Sequence, residues 1–243
     1  MVEGEENDVY KQHASRKFEQ ELHSLRQKIL SLGDMVTDAI AQACLSLETW
    51  EEGPALATIA GDHQVNSLEV DIDETCLTLI ALYQPAATDL RFITTAMKII
   101  TTLERIGDLA GNISHYALDL IAAMEDQVDL GPQLAMAAKA RELLAASLKA
   151  FIDWDADLAL QTARGDQAID RLYKDYLWDA LKRMQGQDLR TMHNIMRAFM
   201  ISKFLERIGD HAVHICEMVV FMVKGRIIRH QKATLDYLDE EFH

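Results

Sequence analysis

Helix breakers and crosslinking residues are both scarce in this sequence. Three prolines, Pro54, Pro85 and Pro132, and 11 glycines among 243 residues leave long stretches open to uninterrupted helix, whereas a turn-rich β architecture needs more of both. Cysteine is limited to Cys44, Cys76 and Cys216, an odd number with no close spacing, each in an apolar run. That excludes a disulfide framework or a zinc ribbon and fits a reducing cytosol. No apolar run approaches the roughly 20 residues of a membrane span; the most apolar, Val213 to Val223, is interrupted by Glu217. Met1 to Asp8 is acidic rather than basic and then apolar, so neither a secretion signal nor direct membrane insertion is expected, and the chain is placed in the cytoplasm.

Positive charge is also in short supply. Lys and Arg number 24 against 39 Asp and Glu, a formal charge of −15, and no Lys/Arg cluster is visible. Binding a nucleic-acid backbone needs a basic face that releases counterions, so nucleic acid is excluded as a partner. Cations or basic protein surfaces suit this charge better. No GxxxxGK[ST], GxGxxG or GxSxG pattern occurs, and no Cys/His pairing suggests a nucleophile. Catalysis therefore has no visible residues, and a non-enzyme is expected.

What is present is apolar content of 49%, enough for a real core, and an internal repeat. Gly61-Asp62-His63-Gln64 returns as Gly165-Asp166-Gln167-Ala168, and Leu103-Glu104-Arg105-Ile106-Gly107-Asp108 returns unchanged as Leu205-Glu206-Arg207-Ile208-Gly209-Asp210, at offsets of 104 and 102 residues. Two homologous halves follow, over residues 15–124 and 131–226, joined by a short polar link near Glu125 to Asp129. Breakers at Gly53-Pro54, Gln84-Pro85, Asp153-Trp154-Asp155 and Gly186-Gln187-Asp188 divide each half into three helices, with Gly131-Pro132 opening the second group. Asp155 and Asp188 suit N-caps, and proline suits a first helical turn.

The last helix of each half carries a heptad seam. Phe92, Ala96, Ile99, Leu103, Ile106, Ala110, Ile113, Ala117, Leu120 and Met124 alternate steps of four and three, and Ala198, Ile201, Leu205, Ile208, Ala212, Ile215, Val219 and Met222 keep the same register. This predicts an all-α fold of two tandem antiparallel three-helix bundles. A single six-helix bundle is the alternative, disfavoured because the repeat falls at the midpoint.

At about 100° per residue, Glu104, Asp108 and Asn112 share a stripe roughly opposite the seam, as do Glu206, Asp210 and His214; His115 and Glu217 extend the stripes. Carboxylates at i and i+4 repel by a few tenths of a kcal/mol unless a cation neutralises them. Carboxylates followed by an imidazole or amide one turn on suit divalent or trivalent metals. On the middle helices Asp62, Glu69 and Asp73, and then Asp166 and Asp170, are the residues that could complete such sites, although Asp62 and Asp166 equally suit caps. The competing reading pairs Arg105 with Asp108 and Arg207 with Asp210 as surface ion pairs. Gly107 and Gly209, where alanine would favour the helix by roughly 1 kcal/mol, point to close approach of a backbone or a ligand. His211 reads as surface and Met218 with Met222 as core filling.

The doubled Leu-Glu-Arg-Ile-Gly-Asp motif resembles the signature of the PhoU family. Glu69-Val70-Asp71-Ile72-Asp73-Glu74 before Cys76, Gln84-Pro85-Ala86-Ala87-Thr88-Asp89-Leu90-Arg91 and Met222-Val223-Lys224-Gly225 extend the resemblance over about Phe18 to Gly225. It implies two three-helix bundles with pseudo-twofold symmetry and a regulatory adaptor. The implied partners are the ATPase subunit of the high-affinity phosphate ABC transporter (PstB) and a sensor histidine kinase (PhoR), with phosphate-starvation genes kept silent when phosphate is plentiful. The same resemblance implies a homodimer. Iron or zinc held on ExxxD motifs, as in some members, carries over to Glu104, Asp108, Glu206 and Asp210, with Asp62, Asp166, Asp170 and His214 as further ligands. Asn112 against His214 makes the two sites unequal. The rival classes are a carboxylate-bridged metal store or metalloenzyme, which would want buried Glu-x-x-His motifs, and a metal-free helical scaffold.

Overall fold

A computed structural model describes residues 2–123 and 128–226, with side chains from residue 16 onward. Among the described residues seven helices follow one another: α1 (Val2–Thr49), α2 (Glu52–Tyr83), α3 (Ala87–Ala122), α4 (Gly131–Asp153), α5 (Ala156–Arg164), α6 (Asp166–Arg183) and α7 (Leu189–Lys224). No strand occurs among the described residues. The first unit packs α1, α2 and α3 together; the second packs α4 and α7 with α5 and α6. The all-helical tandem-bundle fold expected from the repeat is the one observed, with one difference in the second unit. There the expected middle helix is divided at Gly165, where a Cβ would lie 3.0 Å from Leu143 Cδ1 and 3.1 Å from the Thr162 carbonyl oxygen. The Gly165 N–H donates to Thr162 O, a tighter turn than the α-helical pattern.

The helix ends follow the local chemistry. Asp155 accepts from the backbone N–H groups of Asp157 and Leu158, and Asp188 from those of Arg190 and Thr191, so two otherwise orphaned donors are satisfied at each start. Gly225 closes α7 at φ 67°, and Gln84 closes α2 at φ 48°. Trp50 and Trp154, 104 residues apart, both stop their helices in the left-handed region, at φ 60° and 57°. A side chain there costs about 1 kcal/mol, which packing offsets at Trp154. Its ring stacks on Phe92 at 5.5 Å, Phe92 stacks on Phe151 at 5.4 Å, and the Arg26 guanidinium lies 5.0 Å from the Phe92 ring and 5.7 Å from that of Trp154.

Every seam residue from Phe92 to Leu120 and from Ala198 to Met222 is buried; Met124 lies outside the described residues. The buried face of α3 is wider than the seam and includes Ile93, Thr95, Ile100, Thr102 and Leu109. The reason is that α3 packs on α7 as well as on α1 and α2, and α1 also meets α4. The two units therefore share one contiguous core. Hydrogen bonds from Arg91 Nε to Met222 O and from an Arg190 guanidinium nitrogen to Ala123 O fix α3 and α7 antiparallel, the start of each beside the end of the other. Burial pushes the thiols of Cys44, Cys76 and Cys216 up to about 12, so all three are protonated, Cys76 and Cys216 within the core and Cys44 half-buried against it.

Candidate functional site

With the seams turned inward, the repeated motif leaves a narrow strip of each last helix facing water. On α3 Glu104 is half-buried and Asp108 and Asn112 are exposed; on α7 Glu206 and His214 are half-buried and Asp210 is exposed. The expected outward facing of both stripes holds. Arg105 forms no ion pair with Asp108, nor Arg207 with Asp210, among the described residues, so the competing pairing is not realised. His211 is half-buried rather than a plain surface residue. Burial, then Arg207 and Arg105, lower its pKa and keep the imidazole neutral.

Around α3 the middle helix adds negative charge. Burial and then the Asp108, Glu69 and Asp62 charges raise the pKa of Glu104, with Arg105 opposing; burial and then Asp62 raise that of Asp108. Asp62 accepts from Asn66 Nδ2 at 3.0 Å, and Thr101 Oγ1 donates to Glu69 Oε1 at 3.3 Å. Among the described residues no ammonium or guanidinium forms an ion pair with this group of four. Asp62 also lines a groove of about 220 Å³ between α1 and α2 that reaches Gly107 and is floored by Ala39, Ala57 and Gly61. At the position 104 residues after Ala39 stands Leu143, whose side chain packs on Gly165, so the same space is filled in the second unit.

Around α7 the same motif meets different neighbours. The Lys203 ammonium lies 2.7 Å from Glu206 Oε2, whose side chain retains 14% of its exposure. It also sits 5.1 Å from the Tyr173 ring centroid. Partial burial works against the charged lysine, but the bond to Glu206, with Tyr173 and Asp210 behind it, holds its pKa above the usual lysine range. His214 Nδ1 is 3.2 Å from Glu217 Oε2, a neighbour on its own helix. Asp166 is buried beside Gly209, where a Cβ would come within 2.7 Å of its Oδ1 and 3.0 Å of Ile169 Cδ1; Asp170 is half-buried on α6.

The motif glycines thus accommodate neighbouring side chains, Asp166 and Ile169 at Gly209 and Val65, 3.3 Å from a Cβ, at Gly107. The close approach read from the sequence is real, and within the protein it is made by side chains of the middle helices rather than by a backbone. Among the described residues no three His, Cys, Asp or Glu side chains converge closely enough to hold a metal ion as they stand. The charge of the α3 cluster fits a cation and its side-chain positions are not preassembled for one; the α7 cluster already contains a cation.

A duplicated three-helix bundle with a shared core, carrying one acidic surface motif in each copy, is the class that fold and site define. The PhoU domain matches residues 29–117 and 134–219, one copy in each unit, and the chain belongs to the PhoU family. It is 34% identical over 227 residues to the phosphate-specific transport system accessory protein PhoU homolog of Pseudomonas aeruginosa, covering 93% of each chain. It is 33% identical over 218 residues to the phosphate-specific transport system accessory protein PhoU of Escherichia coli K12, covering 90% of each. The crystal structure of PhoU from Pseudomonas aeruginosa superimposes with a TM-score of 0.82 at 34% identity, over 86% of this chain and 100% of that one. The phosphate transport system regulatory protein PhoU from Streptococcus pneumoniae gives 0.79 at 30% identity, over 86% and 98%.

Proposed function

We propose that this chain is a cytoplasmic regulator of phosphate uptake. It acts as an adaptor between the ATPase subunit of a phosphate ABC transporter and a sensor histidine kinase, and restrains the starvation response when phosphate is plentiful. Support comes from membership of a family whose relatives are named as phosphate-transport accessory and regulatory proteins, with both repeats represented. None of the described helices is long and apolar enough to cross a membrane, so contact with a transporter would run through its cytoplasmic parts.

The observation that carries the mechanism is the accumulated carboxylate charge at Glu104, Asp108, Asp62 and Glu69, opposed at Glu104 by the Arg105 charge without an ion pair among the described residues. Like charges held together on a half-exposed surface favour a counter-cation, either a divalent iron or zinc ion or a basic group on the partner. Because these carboxylates line the outside of the bundle, the arrangement suits docking better than the buried, water-excluding site that di-iron oxidation needs.

The test is co-purification of the transporter ATPase and the kinase with the wild-type chain and with Glu104→Ala/Asp108→Ala, alongside metal analysis by mass spectrometry and mass determination by light scattering. The adaptor reading expects both partners to bind the wild type, at least one to be lost in the variant, and a homodimer in solution. Full binding of both partners by the folded variant would remove the α3 face from the mechanism.

A further inference from the structure

The sequence repeats its acidic motif without change, although Asn112 against His214 already sets the two copies apart one turn further on. The surroundings differ at two places. Three residues before the motif glutamate stands Thr101 in the first copy and Lys203 in the second. Thr101 hydrogen-bonds to Glu69 on α2, leaving Glu104 with acidic neighbours, whereas the Lys203 ammonium bonds Glu206 directly at 2.7 Å. The second difference is the carboxylate supplied by the middle helix. Asp62 is half-buried in an open groove, but its counterpart Asp166 is buried against Gly209.

We infer that the two motif copies are functionally unequal: Lys203 serves as the resident cation of the second, which holds α6 against α7 and takes no exogenous metal, leaving only the first copy open to one. The ammonium meets Glu206 on one side and the face of Tyr173, a residue of α6, on the other, so it joins the two helices. A divalent ion at Glu206 would have to displace a partly desolvated lysine from a charge-assisted hydrogen bond and a ring face, both of which strengthen where water is excluded. Among the described residues no ammonium bonds Glu104, on which Arg105 acts through its charge alone. This inference rests on the reading of the first stripe as a cation-accepting face, but its test can fail separately.

Metal-stripped full-length protein is titrated with Mn2+, and free ion is followed by electron paramagnetic resonance. The variants are Glu104→Ala/Asp108→Ala, Glu206→Ala/Asp210→Ala and Lys203→Thr, the last placing in the second copy the residue that the first copy has; far-UV circular dichroism verifies that each is folded. The expected result is that Glu206→Ala/Asp210→Ala leaves Mn2+ binding unchanged. Lys203→Thr adds one binding event per chain, which disappears when Glu206→Ala/Asp210→Ala is combined with it. Loss of Mn2+ binding in Glu206→Ala/Asp210→Ala, or an unchanged stoichiometry in Lys203→Thr, overturns the inference. A wild type that binds no Mn2+, together with a Lys203→Thr protein that does, sinks the first-stripe reading and sustains this one.

Discussion

Gly107 and Gly209 occupy the same place in the repeated motif, yet alanine should be accepted at one and resisted at the other. Alanine raises helix propensity by roughly 1 kcal/mol in both cases. At Gly209 the new Cβ meets Asp166 Oδ1 at 2.7 Å and Ile169 Cδ1 at 3.0 Å, while at Gly107 it meets Val65 Cγ1 at 3.3 Å and at Gly111 nothing within 4 Å. Chemical denaturation should therefore place Gly111→Ala above wild type by about 0.5–1 kcal/mol, Gly107→Ala near it and Gly209→Ala below it. Equal effects at Gly107 and Gly209 would refute the packing difference.

A second residue-scale contrast lies inside the core. Gln133, Tyr176 and Ser202 stand in the second unit at the positions of Ile29, Ile72 and Ile100 in the first, and all six are buried. Gln133 Nε2 donates to Ser202 Oγ at 2.9 Å and to Ala198 O at 3.2 Å, and the Gln133 side chain also reaches the Tyr176 hydroxyl, whose pKa burial raises and this contact lowers. Tyr176→Phe leaves the buried Gln133 amide oxygen without that donor and should destabilise the protein by about 1–3 kcal/mol; an unchanged or higher melting temperature would mean that the hydroxyl makes no bond to Gln133. Neither contrast was visible while each helix was read alone. Setting the halves side by side at the repeat offsets, Thr101 against Lys203 and the three isoleucines against the polar trio, is the sequence signal that reveals both.

At the scale of the element, the last helices were the most legible because their apolar period is long and unbroken, and α3 and α7 keep it in full. The division of the middle helix at Gly165 was not. Gly165 has ordinary right-handed helical angles, φ −65° and ψ −22°, and what shapes the turn is Leu143 of another helix pressing on it. The caps, by contrast, depend on neighbours in sequence and were legible as such. The backbone N–H of Thr191, with that of Arg190, bonds the Asp188 carboxylate and lowers its pKa. A depressed folded-state pKa contributes stability that is present above the unfolded aspartate value and is lost as pH falls through the folded one. Asp188→Ala should therefore melt below wild type at neutral pH, with the gap closing in acid. Glu104 and Asp108 run the other way. Their raised pKa values mean that the charged forms are disfavoured in the fold, so the stability tied to their protons is full below the unfolded carboxylate range and is lost as pH rises through the folded values. Glu104→Gln/Asp108→Asn should stabilise the metal-free protein at pH 7 and make no difference in acid. A double variant that melts lower at pH 7 would show that a compensating cation is already in place.

For the whole molecule, the duplicated sequence suggests two domains, and the packing argues for one cooperative unit. α3 buries Ile93, Thr95 and Ile100 in addition to its seam, α7 lies along it, and Phe92 joins the halves by stacking on Phe151 and Trp154 beneath Arg26. Separating the units would expose this shared apolar surface to water, which couples the stability of each half to the other. Phe92→Ala should then cost about 3–5 kcal/mol and move a single calorimetric transition to lower temperature, with the calorimetric and van't Hoff enthalpies remaining equal. The opposite outcome is specific: if the repeats fold independently, Phe92→Ala leaves the second unit melting at its original temperature and the endotherm splits in two. A split would also bear on function. In a single cooperative body a cation or partner gripping Glu104 and Asp108 on α3 stabilises α7 and the Lys203 contact behind it through the shared core, whereas in two independent bundles the open motif and the self-neutralised one would respond to their surroundings separately.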